Sequence, residues 1–378
     1  MSAHHLSPPG TVPTSPTTTT RPTSSHDEEF NIALLGAGGV GTIAALVLEK
    51  SGRARVTAIL RASYGVVRER GWDVESVDHG ERRGWRCFRV VQTIEDAVFP
   101  APQPTPNIPT GAPTPMEAAR ERYDFIVICT KQLPDKYNLA EMITPLVTPG
   151  LTSIVLIQNG LFIHKPFIAA FPINVTMSAV SMIGSFTEAP NKIKHIGPDM
   201  LQIGPHYHPG VPDAVSLERT KAFVEIYGAG GAKECLFVDD MPKARWAKLL
   251  WNGTYNPICA LLEVSVGAVQ SSGAKEGLVM PIMRELQAVA KADGVALTDE
   301  DLEFMANRSP VTSRWRPSML LDREQGRPME FEVILGDPVR RGAELRVETP
   351  VMGTVYELLK LARWKVENPD EGGEQHIG

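Results

Sequence analysis

Between Trp246 and Pro257 the chain reads Trp-Ala-Lys-Leu-Leu-Trp-Asn-Gly-Thr-Tyr-Asn-Pro, and three polar residues among apolar neighbours stand four apart: Lys248, Asn252 and Asn256. A residue at every fourth position leaves an α-helix from nearly the same side, so an ammonium and two carboxamides would line one cleft. The ammonium can stabilise negative charge on an oxygen and give it a proton. The carboxamides can grip a carboxylate or alcohol without adding charge. Pro257 lacks a backbone donor and crowds the turn before it, so the helix is expected to kink or restart beside Asn256, with Gly253 easing the bend. A lysine and two asparagines on one helix face are more often merely solvated. The elements around them decide the matter.

The ordered fold is expected to begin with the apolar run Phe30-Asn-Ile-Ala-Leu-Leu, followed by Gly36-Ala37-Gly38-Gly39-Val40-Gly41 and the helical stretch Thr-Ile-Ala-Ala-Leu-Val-Leu-Glu. This is strand, glycine turn, helix. Gly36 permits the tight turn, Gly38 lets backbone approach a pyrophosphate, and Gly41 lets helix and strand pack closely. A bare glycine motif is weak, but in this context it reads as dinucleotide binding. The next strand, Arg55 to Leu60, ends at Arg61, where an NAD-binding chain would offer a carboxylate to the ribose. A guanidinium there favours NADP, because it can hold the 2′-phosphate bidentately.

Two further apolar runs read as buried parallel strands. Asp124-Phe-Ile-Val-Ile-Cys-Thr-Lys131 delivers Lys131 to the carboxyl edge of the sheet, and Leu151-Thr-Ser-Ile-Val-Leu-Ile delivers Gln158-Asn159-Gly160 to the same edge. That edge is where a cofactor lies in an open α/β sheet. Segments 71–77 and 85–91 are expected to form short strands or a hairpin around His79-Gly80 that extends the sheet, and 174–180, 192–196 and 200–203 to continue it. An amphipathic helix spans Pro212 to Gly228, and the first domain is expected to close near residue 238. From Met241 only helical patterns remain, at 277–292, 299–308, 327–345 and 349–364.

At 378 residues, with 43% hydrophobic content, the chain exceeds one ordinary domain, and two domains with separate cores are expected. The fold class is α/β: a Rossmann-type dinucleotide-binding domain at 29–238, then an all-α domain at 239–366. A formal charge of −6 and no long basic run argue against a nucleic-acid partner. Four scattered cysteines with no C-x-x-C pair fit reduced thiols, and no apolar stretch is long enough to cross a bilayer, so a soluble cytosolic protein is expected. Residues 1–28, rich in Ser, Thr and Pro, read as a disordered tail, and 367–378 as a second loose end. Seven prolines within 99–116 mark a surface insertion. His206 and His208 sit in a Pro/Gly turn with no third ligand nearby, and no metal site is assigned.

Taken together, the glycine turn, Arg61, Thr130-Lys131, Gln158-Asn159-Gly160, Trp246-x-Lys248, Asn252-x-x-x-Asn256-Pro257, Pro317-Ser318-Met-Leu-x-Asp322 and Glu330-x-Glu-x-Ile-x-Gly336 resemble the ketopantoate reductase family, in order and spacing over residues 30 to 365. The resemblance implies NADPH-dependent reduction of 2-dehydropantoate to D-pantoate in pantothenate synthesis. It makes Lys248 the proton donor. Asn252, Asn256 and Ser318 would hold the substrate, with Asn159 beside them. Glu330 would bind a substrate hydroxyl or the cofactor ribose, and Lys131 and Asn159 the nicotinamide half. An unperturbed lysine is already protonated at neutral pH, so the donor is expected to need little tuning. The implied partner is a small 2-oxo acid, and the resemblance is compatible with a homodimer. The chain departs from the family's pattern at Leu335, where many members have Asn, in the insertion and in both tails.

Two other readings compete, and a third is rejected. A related fold can reduce another branched 2-oxo acid, and a non-catalytic NADP sensor can keep the cofactor fold. Tyr356 and Lys360 spell the Y-x-x-x-K of short-chain dehydrogenases, but on a terminal helix far from the glycine turn.

Overall fold

The computed structural model describes residues 29–99 and 122–368. The expected tail at 1–28, residues 100–116 of the insertion and residues 369–378 lie outside the described residues. The chain starts with β1 (Phe30–Leu35), turns at the glycines into α1 (Gly39–Lys50) and returns in β2 (Ala54–Ile59), parallel to β1 with Ile32 opposite Val56. A hairpin of β3 (Trp72–Ser76) and β4 (Gly80–Trp85) precedes β5 (Arg89–Val91). Next come β6 (Phe125–Ile128), β7 (Ser153–Leu156), β8 (Thr176–Ser181), β9 (Ser185–Ala189), β10 (Lys192–His195) and β11 (Met200–Pro205). Helix α2 (Asp213–Ala229) and β12 (Glu234–Phe237) complete this part.

The main sheet runs β12-β11-β8-β7-β6-β1-β2-β5. From β5 to β8 all neighbours are parallel, whereas β11 is antiparallel to β8. The chain leaves β1 towards β2 on one side and resumes at β6 on the other, so the connections diverge and open a crevice at the carboxyl ends of β1 and β6. This is the Rossmann order expected from the sequence. Alternate residues of one strand face opposite cores: Ile32 and Leu34 pack with α1 and α2, Ala33 and Leu35 on the other side. A strand covered on both faces must be apolar at each position, which is why these segments read as unbroken hydrophobic runs.

Two features correct the sequence reading. Of the segments expected to lengthen the sheet, β5, β8 and β11 do so, but β3 and β10 join β4 and β9 in a separate sheet of order β4-β3-β10-β9. Trp72, Val74 and Ile193 turn inward and share the core of α1, so this small sheet covers α1 from outside. The cores, too, are divided by the sheet and not by the two halves of the chain. One fills the α1/α2 side, and the other runs from the opposite face into the helices, taking in Trp246, Leu249, Leu286 and Leu359. Each fully buried leucine there contributes roughly 1.5–3 kcal/mol.

Beyond β12 the described residues hold helices and no strand: α3 (Met241–Asn252), α4 (Tyr255–Leu262), α5 (Met280–Ala292), α6 (Asp299–Asn307), α7 (Ser318–Glu324), α8 (Asp337–Leu345) and α9 (Pro350–Glu367). The helix expected over 327–345 starts late, with a π turn at Glu332–Gly336. The break expected beside Asn256 falls at Gly253-Thr254. A proline has no N–H to give the carbonyl four residues back and its ring crowds that carbonyl, which for Pro257 belongs to Gly253. Lys248 and Asn252 therefore share α3, while Asn256 is carried on α4.

Candidate active site

Where α3 crosses the carboxyl edge of the main sheet, Arg245, Lys248 and Asn252 line a narrow cleft with Asn159, Gly160 and Val180. Lys248 is half-buried, and its Nζ donates to the Ser181 carbonyl at the end of β8. Burial pulls the Lys248 ammonium down to about 7, Arg245 and Arg308 add repulsion, and Glu330 opposes them. The lysine is thus tuned, contrary to the expectation of an ordinary amine. A donor with its pKa near the working pH gives up its proton far more readily than one near 10.4.

Glu330 precedes the π turn and faces the same region. Burial pushes its carboxyl up to about 7, against the Gln132 N–H that donates to Oε1 at 2.8 Å, the Lys131 charge and an Asn159 hydrogen bond, while Asp322 adds to the rise. Asn159 in turn accepts from Asn252 Nδ2 at 3.1 Å. The turn after β7 is held against the helices by Leu161 N–H, which donates to Val333 O at 2.8 Å. Lys131 reaches across as well, pairing with Asp322 at 2.7 Å and donating to Pro328 O at 2.8 Å.

Sequence reasoning passed over Arg245, although it stands three residues before Lys248 and so on the same side of the helix. It is 5% exposed. Its Nε donates to Ser178 Oγ at 2.9 Å and its Nη1 to Gly160 O at 2.9 Å and Gln158 O at 3.2 Å, with no carboxylate partner among the described residues. Burial lowers this guanidinium to about 9. Beneath it His206 bonds Ser178 Oγ at 2.7 Å and stacks on His164 at 3.7 Å. Burial keeps both rings uncharged, His164 at about 3, so His206 is a packed, hydrogen-bonded support for Ser178. Ser181 and Arg308 were also missed. A carbonyl carries no side-chain signal, and Arg308 lies about 60 residues from Lys248 in sequence, beyond the reach of local periodicity.

The glycine turn has the form a dinucleotide needs. Gly36 has φ +88°, and a Cβ there would stand 2.6 Å from Thr130 Cγ2, while one on Gly41 would meet Gly36 O at 1.9 Å. No side chain caps the first turn of α1 and no acid lies in it, so its N–H groups can take an anion. Buried polar atoms without partners gather at the neighbouring edge: Thr130 Oγ1, Gln132 Oε1, Gln158 Oε1 and Ser181 Oγ. Such atoms are costly unless a ligand satisfies them. Arg61 is exposed just past β2, and its charge reaches Tyr137, whose OH donates to Lys131 O at 2.5 Å.

Other predicted site residues do not line this cleft. Asn256 is 1% exposed, with its Oδ1 unpartnered. Ser318, at the first position of α7, is exposed, and no hydrogen bond joins it to the cleft among the described residues. Leu335 is fully buried in the core. Tyr356 OH donates to Glu332 at 2.8 Å and Lys360 pairs with Glu357, so both are occupied on the outer face. The four cysteines are free, and burial pushes each thiol up to about 12, which leaves them inert near neutrality. Among the described residues no helix is long and apolar enough to cross a membrane, and no cluster of His, Cys, Asp or Glu could hold a metal.

The family model described as ketopantoate reductase PanE/ApbA matches residues 32–208, and its C-terminal counterpart matches 240–363. The chain belongs to the ketopantoate reductase family. A Saccharomyces cerevisiae relative, itself uncharacterized, is 30% identical over 358 residues, covering 89% of this chain and 94% of its own. The 2-dehydropantoate 2-reductase of a Nostoc species is 24% identical over 88% of this chain and 95% of its own. Among solved structures, the 2-dehydropantoate 2-reductase of Methylococcus capsulatus is 29% identical, with a TM-score of 0.72 over 89% of this chain and 97% of its own. A D-mandelate dehydrogenase shares the fold at 21% identity and a TM-score of 0.72. Ketopantoate reductase membership makes the chain an oxidoreductase with a nicotinamide dinucleotide cofactor, and the cradle at Gly36 and Gly41 fits that group.

Proposed function

We propose that this chain reduces 2-dehydropantoate to D-pantoate with NADPH, the reductive step of pantothenate synthesis. The observation that carries the reading is the placement of Lys248: its ammonium sits on the Ser181 carbonyl in a cleft shared with Asn252 and Asn159 at the carboxyl edge of a dinucleotide-binding sheet. The bound cofactor would lie along the glycine turn, Lys131 and Asn159, and supplies hydride. The substrate carbonyl oxygen rests on Lys248 Nζ. As a C–H bond forms at C2, the π pair moves to oxygen and Lys248 delivers the proton, giving the alcohol and a neutral amine. Asn252 and Asn159 orient the acid, Glu330 takes a substrate hydroxyl or the ribose, and Arg61 meets the 2′-phosphate. Asn256 and Ser318 complete the substrate's surroundings if the helices draw in around it. A cytosolic homodimer is part of the proposal. A Staphylococcus aureus ketopantoate reductase with this fold is described as dimeric.

A second reading is reduction of a different branched or aryl 2-oxo acid. The shared fold of D-mandelate dehydrogenase, solved with NADH and anilino(oxo)acetate, favours keeping it in view. Steady-state NADPH oxidation with 2-dehydropantoate, set beside other 2-oxo acids, separates these readings. Greater kcat/KM for another acid would replace the substrate, and NADPH binding without any turnover would point to a sensor.

A further inference from the structure

Arg308 follows α6 directly, and its side chain is exposed. Its Nη1 lies 3.3 Å from Met182 Sδ, one residue beyond the Ser181 carbonyl that holds Lys248. The guanidinium thus bridges from the end of α6 to the segment after β8, next to the carbonyl that holds Lys248. A thioether is a weak acceptor and leaves most of an arginine's five donors unclaimed. Among the described residues no carboxylate pairs with Arg308. Neighbouring cations differ: Lys131 and Arg327 share Asp322, Arg316 pairs with Glu324, and Arg245 is buried with its Nε and Nη1 on Ser178 and two carbonyls, leaving only Nη2 without a partner.

The groups facing Lys248 are Arg245 from its own helix, Arg308 from the end of α6 and Glu330 from before the π turn. Three basic groups against one carboxylate leave positive charge to spare. The carboxylate and carbonyl carbons of a 2-oxo acid are directly bonded, so the groups that serve them must be neighbours. We propose that Arg308 receives the carboxylate of the 2-oxo acid while the adjoining carbonyl oxygen rests on Lys248, which makes Arg308 the residue that selects free acids over neutral ketones. The assignment rests on the 2-oxo acid reduction argued above. A guanidinium can take both carboxylate oxygens in parallel, and that bound charge offsets the repulsion Lys248 feels from Arg308.

The test compares the parent protein with Arg308→Gln and Arg308→Lys, each loaded with NADP. Calorimetry measures the affinity for oxamate, an unreactive anion shaped like a 2-oxo acid, and for its neutral counterpart oxamide. Arg308→Gln should weaken oxamate and raise the KM for 2-dehydropantoate by about ten- to a hundredfold, as expected for a lost charge-assisted bond. Arg308→Lys should recover part of this, with NADPH affinity and oxamide binding held within about twofold. The alkaline limb of kcat/KM should move to higher pH in Arg308→Gln, because one cation facing Lys248 is gone. Oxamate affinity that is absent in the parent, unchanged in Arg308→Gln, or reduced no more than oxamide affinity would overturn the assignment. A parent that turns over no 2-oxo acid, yet shows the oxamate difference, would overturn the proposed reaction and leave Arg308 as the carboxylate site. The exposed position keeps folding out of the comparison, and matched unfolding midpoints verify it.

Discussion

Asn252 Nδ2 donates to Asn159 Oδ1 at 3.1 Å, tying the last residue of α3 to the turn after β7. The bond joins the helix that carries Lys248 to the sheet edge that carries the cofactor cradle. Asn252→Ala leaves the Asn159 acceptor without its donor, at a cost of about 1–2 kcal/mol. Thermal unfolding should show a lower midpoint, and steady-state assays a raised KM. An unchanged midpoint and KM would mean the amide pair is incidental to both docking and binding.

Lys248→Ala should cut kcat by about a hundred- to ten-thousandfold while NADPH binds nearly as before. Full turnover in this variant would remove the amine from the chemistry.

Activity should also fall as pH rises. With the ammonium at about 7, raising the pH through that value removes the transferable proton, so kcat/KM should decline on the alkaline side. A profile flat to pH 9 would contradict the placement of this donor.

Stability carries the opposite sign at the same residue. Because the folded lysine holds its proton less tightly than the unfolded one, at about 7 against 10.5, the unfolded chain binds more protons between those values, and this site's contribution rises with pH. Lys248→Met should therefore raise the unfolding midpoint at pH 7, on the order of a few degrees, and less at pH 10. Glu330 is raised, so its contribution is full below 4.5 and fades as pH climbs through about 7. Glu330→Gln should accordingly stabilise more at pH 8 than at pH 4. Equal gains at both pH values, for either variant, would mean the group titrates normally.

Arg61→Asp should move cofactor preference from NADPH towards NADH, read as the ratio of kcat/KM for the two. Should the ratio stay put, another group recognises the 2′-phosphate.

Several of these features are written in the chain itself. The strand-turn-helix signature at Phe30 to Lys50, the unbroken apolar runs of β6 and β7, and the change to helical periodicity after Phe237 each follow from local rules: backbone freedom at glycine, burial on both faces, a repeat of 3.6 residues. So does the stripe of Lys248 and Asn252, which lies within one helix.

What tertiary structure decided is everything that depends on which distant segment comes across. Periodicity assigns a residue to a face but says nothing about what that face meets. It therefore missed that the small sheet of β3, β4, β9 and β10 would cover α1 and that Arg245 and Arg308 would surround Lys248, and it set beside Asn256 a helix break that the fold puts at Gly253-Thr254. The lowered lysine follows from that enclosure. A side chain's proton affinity is set by the solvent it loses and the charges brought to it, and neither exists until the chain has folded.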